Sequence, residues 1–274
     1  VNKVLDVEDK NIAVPVIISG IINAQKLGES GLIMEYAEYL ESLTPQNGLT
    51  EVIQDDRQTM NGFLYYKRVE QYHKAIEEDL FEVYYQPVYS TRERRFITVE
   101  ALSRLHHPEL GWIAPDVFIQ IAEKNHMIEQ ITDMQFRRIC RFLKENRELM
   151  SRLLNVKVNL SSLDLMRNDC SSHFIRMMDD MDIHHDWIQF EITETVATEY
   201  NAGLGMVVAG FMAAGVRLCL DDFGSGYANL NTVMRLPFSA IKIDRTLLFD
   251  ICNDKKRAMF YQSIIETFHR MGYS

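Results

Sequence analysis

Between Phe81 and Asp244 the chain places acidic, amide or basic side chains at the ends of short apolar runs. Glu100 closes FITVE, Asn159 closes VKVN, Glu191 closes WIQFE, Asp221 and Asp222 close VRLCLDD, and Lys242 and Asp244 lie in SAIKID. Carboxylate and amide oxygens without a histidine or cysteine among them are the ligand set of a hard divalent cation, magnesium or manganese rather than zinc. Several ionised carboxylates in one cleft repel one another unless a cation compensates them. Adjacent aspartates on an extended chain point to opposite faces. At a strand terminus, where the chain turns, Asp221 and Asp222 both reach one cluster, so the set suits one or two ions. Lys242 and Asp244 lie two apart and share a strand face. A lysine there orients or helps to deprotonate an attacking water, or it forms a structural salt bridge. Taken singly, each carboxylate reads equally well as a solvated strand end or a helix cap. Repeated at the ends of several strands, they read as one site.

Asp222, Phe223, Gly224, Ser225, Gly226 and Tyr227 form a glycine-rich loop directly after the fifth apolar run. Alone, a GxG is a turn and matches no nucleotide fingerprint; its interest lies in its attachment to the two aspartates. His106 with His107 and His184 with His185 lack the helical spacing of a zinc protease and read as surface residues. No GxSxG elbow is present.

Positioning such residues requires strands that alternate with helices. Strands are predicted at Glu82 to Val88, Phe96 to Ala101, Val156 to Leu160, Ile188 to Ile192, Arg217 to Asp221 and Ala240 to Ile243. Helical patterns fall around 116–128, 132–149, 171–181, 197–213 and 255–270, with Gly210 and Gly215 read as stop signals for the fourth. This alternation predicts an α/β fold with a mostly parallel, helix-covered sheet. The first two strands are too close for a crossover helix and are expected to be antiparallel. Functional groups spread over several strand ends favour a (β/α) barrel over an open doubly wound sheet, although six strands are fewer than a closed barrel needs.

Residues 1–60 read as a small α+β segment. It has a strand-like run through Val14, Val16 and Ile18, a helical face of Ile33, Tyr36, Ala37 and Leu40, a turn at Thr44 to Gly48, and a strand from Leu49 to Ile53. Residues 61–80 read as a connecting helix with a stripe of Tyr65, Val69, Tyr72 and Ile76.

A length of 274 residues with 47% hydrophobic and 25% charged side chains suits a sizeable folded core. A net charge of −10 argues against a nucleic-acid polymer as partner, which would need a basic face. Cys140, Cys170, Cys219 and Cys252 lack CxxC spacing, so reduced thiols and a cytoplasmic location are expected. The most apolar stretch, Asn11 to Ala24, carries Pro15 and Gly20 and falls short of the ~20 residues of a membrane helix. No membrane contact is expected within this chain, and a tethered parent protein is compatible. The start at Val1 and the stop at Ser274 after a helical stretch read as a fragment of something longer.

Together EALSR at Glu100, YYQPVYS around Gln86, VNLS at Asn159, EITE from Glu191 to Glu194, DDFGSGYANL from Asp221 and IKID ending at Asp244 resemble an EAL domain. That family comprises bacterial phosphodiesterases that open cyclic di-GMP to the linear dinucleotide pGpG. The resemblance runs from about 80 to 274 and implies a TIM-type barrel. It implies that Glu100, Asn159, Glu191 and Asp221 are metal ligands, that Asp222 serves a second metal, and that Lys242 works with the catalytic water. By the same resemblance Gln86, Arg104 and Asp244 contact substrate, Glu194 steadies the glycine-rich loop, and a homodimer is expected. The family continues with a seventh strand bearing an EGVE-like glutamate and an eighth bearing a glutamine, both beyond Ser274. Ser225 in place of threonine and Ser103 in place of an aliphatic residue are smaller departures. Residues 1–60 faintly resemble the end of a GGDEF domain without its signature. The expected activity is hydrolysis of cyclic di-GMP. The alternatives are an inactive cyclic di-GMP sensor and a protein-interaction module.

Overall fold

The computed structural model describes residues 2–7, 10–15, 30–42, 57–198, 202–225, 230–249, 251 and 253–274. The chain divides into two compact units, Val1–Tyr72 and His73–Ser274. In the first, β1 (Asn2–Val7) pairs antiparallel with β2 (Lys10–Pro15). Helix α1 (Ser30–Ser42) buries Tyr36 and Leu40 of the predicted face, and they pack with Phe63 of α2 (Arg57–Glu77). The predicted α2 stripe is only partly right, because Phe63 and Tyr72 are buried while Tyr65 is 41% exposed. The expected turn at Thr44 to Gly48, the strand at Leu49 to Ile53, and positions Val16 and Ile18 lie outside the described residues.

The second unit contains all six strands predicted between Glu82 and Ile243. These are β3 (Phe81–Ser90), β4 (Arg95–His107), β6 (Asn155–Asn159), β7 (Ile188–Thr193), β8 (Arg217–Phe223) and β9 (Ala240–Ile243), with a short β5 (Gly111–Ile113) paired to β4. Their order is β3-β4-β6-β7-β8-β9. The pair β3–β4 is antiparallel, and β4, β6, β7, β8 and β9 run parallel. Beyond β9 the backbone of Ser274 bonds to Ser239 and Ile241, extending the same hydrogen-bonding direction.

Helices supply the outer layer: α3 (Pro115–Lys124), α4 (Ile128–Glu145), α5 (Ser162–Met166), α6 (Cys170–Asp180), α7 (Glu194–Thr198), α8 (Ala202–Ala213), α9 (Leu230–Arg235) and α10 (Lys255–Arg270). The result is the (β/α) barrel-type α/β fold. The predicted helix 116–128 ends early because His126 takes φ 55°. Gly215, at φ 81°, is a true stop after α8. Gly210 is not: it lies inside α8, and a Cβ there would strike the Ser171 side chain of α6.

The parallel strands have two chemically different faces. Val156, Val158, Ile188, Phe190, Ile192, Leu218 and Leu220 alternate along β6, β7 and β8 and enter the main hydrophobic core under the helices. Phe190 is its hub, with ring centroids 5.5 Å from Phe136, 5.2 Å from Phe174 and 4.8 Å from Phe211. The intervening residues, Lys157, Asn159, Gln189, Glu191, Cys219 and Asp221, share the opposite face through matched register. Parallel strands covered on both sides are usually apolar throughout. Here one face is polar, and Lys157, Gln189 and Glu191 are buried on it.

Candidate active site

Glu100, Glu191 and Asp221 converge on this polar face. One oxygen from each lies within 4.8 Å of the others. Lys242, on β9, donates from Nζ to Glu100 Oε2 at 3.0 Å, Glu191 Oε2 at 2.8 Å and Asp221 Oδ2 at 2.9 Å. Its ammonium thus marks the point at which a cation meets three carboxylates. An all-oxygen set around one positive charge suits a hard divalent ion such as magnesium or manganese.

Each of these side chains is placed for a local reason. Glu100 lies within β4 rather than at its end, because β4 runs on to pair with β3 and β5. The parallel pairing of β4 with β6 nevertheless stops at Ala101, so Glu100 sits at the carboxyl end of the parallel part. Asn159 closes β6 and donates from Nδ2 to Glu100 Oε1 at 3.1 Å. Asp221 and Asp222 are not at a strand terminus, since β8 continues to Phe223. The register shifts between Leu220 and Phe223, and Asp222 takes φ 56° there. Asparagine and aspartate tolerate this left-handed conformation better than most residues. Asp222 thereby remains within electrostatic reach of Asp221, Asp244, Lys242 and Glu100.

The charges shape one another. Burial pushes the Glu100 carboxyl upward, but the Lys242 ammonium, helped by Asn159, outweighs it and holds the pKa below the usual value. Burial raises the pKa of Glu191 against the pull of Lys157 and Lys242. Burial also raises Asp222, and repulsion from Asp221 and Asp244 adds to the rise. For Lys242 burial works against the charged form, yet Glu191 and Asp221 prevail and lift its pKa above the ordinary range. Without a bound cation Lys242 is therefore an ammonium and not a base.

The remaining expected residues are placed by contacts of their own. Gln86 faces Glu100 across the β3–β4 register, and such opposed residues share a sheet face. Arg104 lies four residues along that face, with its guanidinium 5.6 Å from the centroid of the Tyr84 ring. A cavity of about 130 Å³ opens beside Arg104 and Asn159, walled by Leu102, Pro115 and Ile119. Glu194 begins α7, is buried, and accepts the Gly224 N–H at 2.8 Å. Gly226 and Tyr227 lie outside the described residues. Asp244 falls just past β9 rather than on it, and its carboxylate caps the 3-10 turn Arg245–Leu248 by accepting from Thr246 N at 2.7 Å. The Thr246 hydroxyl first, and that backbone bond second, hold its pKa low.

The sequence reading missed Lys157. It is 8% exposed, and its Nζ donates to Glu191 Oε1 at 3.0 Å. A signal was available: in VKVN the lysine alternates with two valines and precedes Asn159 by two, which puts it on the face of the carboxylates.

Relatives are consistent with this geometry. The EAL domain family matches residues 69–274. Cyclic di-GMP phosphodiesterase NbdA of Pseudomonas aeruginosa is 32% identical over 197 residues, which are 72% of this chain and 25% of that protein. Oxygen sensor protein DosP of Escherichia coli is 30% identical over 201 residues, 73% of this chain and 25% of its own length. The chain therefore spans about a quarter of the length of these two relatives. Among solved structures, the PaMucR phosphodiesterase in complex with c-di-GMP shares 27% identity at a TM-score of 0.70, covering 76% of this chain and 84% of that one. The FimX EAL domain from Pseudomonas aeruginosa, bound to c-di-GMP, has a TM-score of 0.67 at 21% identity over 75% of this chain and 82% of its own, a likeness of fold. With residues 69–274 matched, the chain belongs to the EAL domain family.

Proposed function

We propose that this chain hydrolyses cyclic di-GMP to linear pGpG by metal-assisted attack of water on one phosphodiester. The observation that carries the reading is the convergence of Glu100, Glu191 and Asp221 on a single cationic point, held by Lys242. The relative NbdA, named as a cyclic di-GMP phosphodiesterase, supports the substrate and reaction.

In this reading Glu100, Asn159, Glu191 and Asp221 hold one magnesium or manganese ion, and Asp222 is the carboxylate that any second ion would have to use. When bound, the cation supplies charge neutralisation at the phosphate and a lowered pKa for water. Asn159, bonded to Glu100, holds that carboxylate in place. Lys242 is pinned between three carboxylates, a position from which it orients the attacking water and offsets negative charge. Arg104 offers planar paired donors suited to a phosphate, and Tyr84 beneath it limits its freedom. Gln86 and Asp244 complete the substrate contacts, the latter from the end of β9. Glu194 holds the glycine-rich loop through Gly224.

Several wider features belong to the same reading. Residues 1–60 read as a partial α+β segment, the end of a degenerate GGDEF domain or an unrelated sensor or linker, with 61–80 a connecting helix and 81–274 the EAL domain. A homodimer is supported by the exposed apolar side chains Met234, Leu248, Phe249, Met259 and Phe260 along α9, the turn Arg245–Leu248 and α10. No described helix is long and apolar enough to cross a membrane. The buried free thiols Cys140, Cys170 and Cys219, all pushed up to about 12 by burial, suit a reducing cytoplasm. The test is to incubate the chain with cyclic di-GMP and magnesium beside Glu100→Ala. Release of pGpG by the wild type alone is expected, and tight binding without turnover retires the enzyme reading.

A further inference from the structure

We propose that Lys157 restricts the carboxylate centre of this chain to one tightly held divalent cation. The inference rests on the reading of Glu100, Glu191 and Asp221 as ion ligands. Two lysines meet this centre, and they differ in what they can do when an ion arrives. Lys242 touches all three carboxylates and its side chain is 30% exposed, so it has solvent into which to withdraw. Lys157 approaches from the amino-terminal side of the sheet, one register step below Asn159 and Glu191. Its side chain is only 10% exposed, and it reaches Glu191 Oε1 at 3.0 Å and Cys219 Sγ at 3.8 Å. A buried ammonium that loses its counter-charge is strongly destabilised. Lys157 therefore stays on Glu191 in every state of the site.

Two consequences follow. Glu191 has Oε1 committed to Lys157, which leaves Oε2 alone available to an ion, so Glu191 cannot span two ions through its two oxygens. Charge acts in the same direction. Glu100, Glu191, Asp221, Asp222 and Asp244 face Lys157 and Lys242, a net of three negative charges, of which one divalent cation offsets two and a second would overshoot the remainder. A second ion would leave excess positive charge in a partly buried cleft, where Coulomb terms are larger than in water.

The experiment counts Mn²⁺ bound to the full chain from the free-ion electron paramagnetic resonance signal, with no nucleotide present. The wild type is expected to hold one Mn²⁺ per chain, with any second ion at least about tenfold weaker. Lys157→Gln, which keeps a donor toward Glu191 without the charge, and Lys157→Met are expected to bring a second Mn²⁺ within about tenfold of the first. Lys157→Arg is expected to behave as the wild type. Should the methionine variant fail to fold by circular dichroism, the glutamine variant and the wild-type count still decide. Two Mn²⁺ of comparable affinity in the wild type, or unchanged counts and affinities in folded neutral variants, would overturn the proposal. If neither the wild type nor any folded variant bound Mn²⁺, the ion-site reading itself would fall, and the role of Lys157 with it.

Discussion

Phe190 and Glu191 are neighbours on β7 and equally hidden from solvent, at 0% and 1% exposure, yet they serve opposite ends. Phe190 points to the outer layer and meets Phe136, Phe174 and Phe211. Glu191 points the other way and meets two ammonium groups. Burial alone therefore does not distinguish core from site in this fold. What distinguishes them is whether the buried group is satisfied by packing or by charge. The outer face is stabilised by hydrophobic transfer and close contact. The inner face is an arrangement of costly charges that only mutual pairing, or a cation, makes tolerable.

This contrast can be broken most severely at Glu100. Glu100→Ala removes an inner-face carboxylate from a half-buried position, so pGpG release is expected to fall by at least about a thousandfold with the fold intact by circular dichroism. A parallel loss of structure would mean that the inner face is a core after all. Phe190→Ala tests the opposite face. It is expected to cost about 3–5 kcal/mol in urea denaturation, with turnover per folded molecule largely retained.

Lys242→Met sharpens the electrostatic half. It leaves Glu100, Glu191 and Asp221 facing one another, and a loss of about 1–3 kcal/mol is expected in the ion-free protein, discounted for its partial exposure. Added Mn²⁺ should raise the melting temperature of this variant more than that of the wild type, because ion and ammonium compensate the same charges. Gly224→Ala should cost about 1–2 kcal/mol and slow turnover. Gly224 lies at φ 93°, its Cβ would collide with Leu247, and its N–H is the group held by Glu194.

The smallest expected effect is a pH slope. Asp164 is buried, with Oδ2 accepting from Thr132 and from Ser161 and with Oδ1 lacking a hydrogen-bond partner. Burial raises its pKa above 3.8 despite those bonds. The folded state thus binds this proton more tightly than the unfolded one. Its contribution to stability is full below the unfolded value and is lost as pH rises through the folded value. Chemical denaturation of Asp164→Asn should show a flatter decline than the wild type as pH rises above about 4, by less than ~1.4 kcal/mol per pH unit. An unchanged slope would remove Asp164 as its source.

Much of the outer face was legible in the sequence because alternation is a local signal. Val156 and Val158, or Ile188, Phe190 and Ile192, announce a strand without reference to anything distant. The β3–β4 hairpin followed from a connection too short to hold a helix. Features set by tertiary context were less visible. Gly210 carries the composition of a helix stop, but what fixes it is the close approach of Ser171 from α6. The left-handed turn at Asp222 depends on a register shift against β9, which no run of residues in β8 reveals. Asp244 shares the spacing of a strand residue with Lys242, yet the chain turns just before it and its carboxylate becomes a cap. Helix α5 is five residues long and is marked only by the reciprocal bonds of Ser161 and Asp164. Lys157 was passed over because a lysine in an apolar strand reads as a surface residue until its partner, Glu191 on the neighbouring strand, is known.

The central claim is that the inner face directs a water molecule onto a phosphodiester. The most direct measurement is the mass of the pGpG formed from cyclic di-GMP and Mn²⁺ in water enriched in heavy oxygen. One heavy oxygen in the newly freed phosphate of pGpG, absent with Glu100→Ala, is the predicted result. Intact cyclic di-GMP bound to the wild type without any labelled product would contradict it.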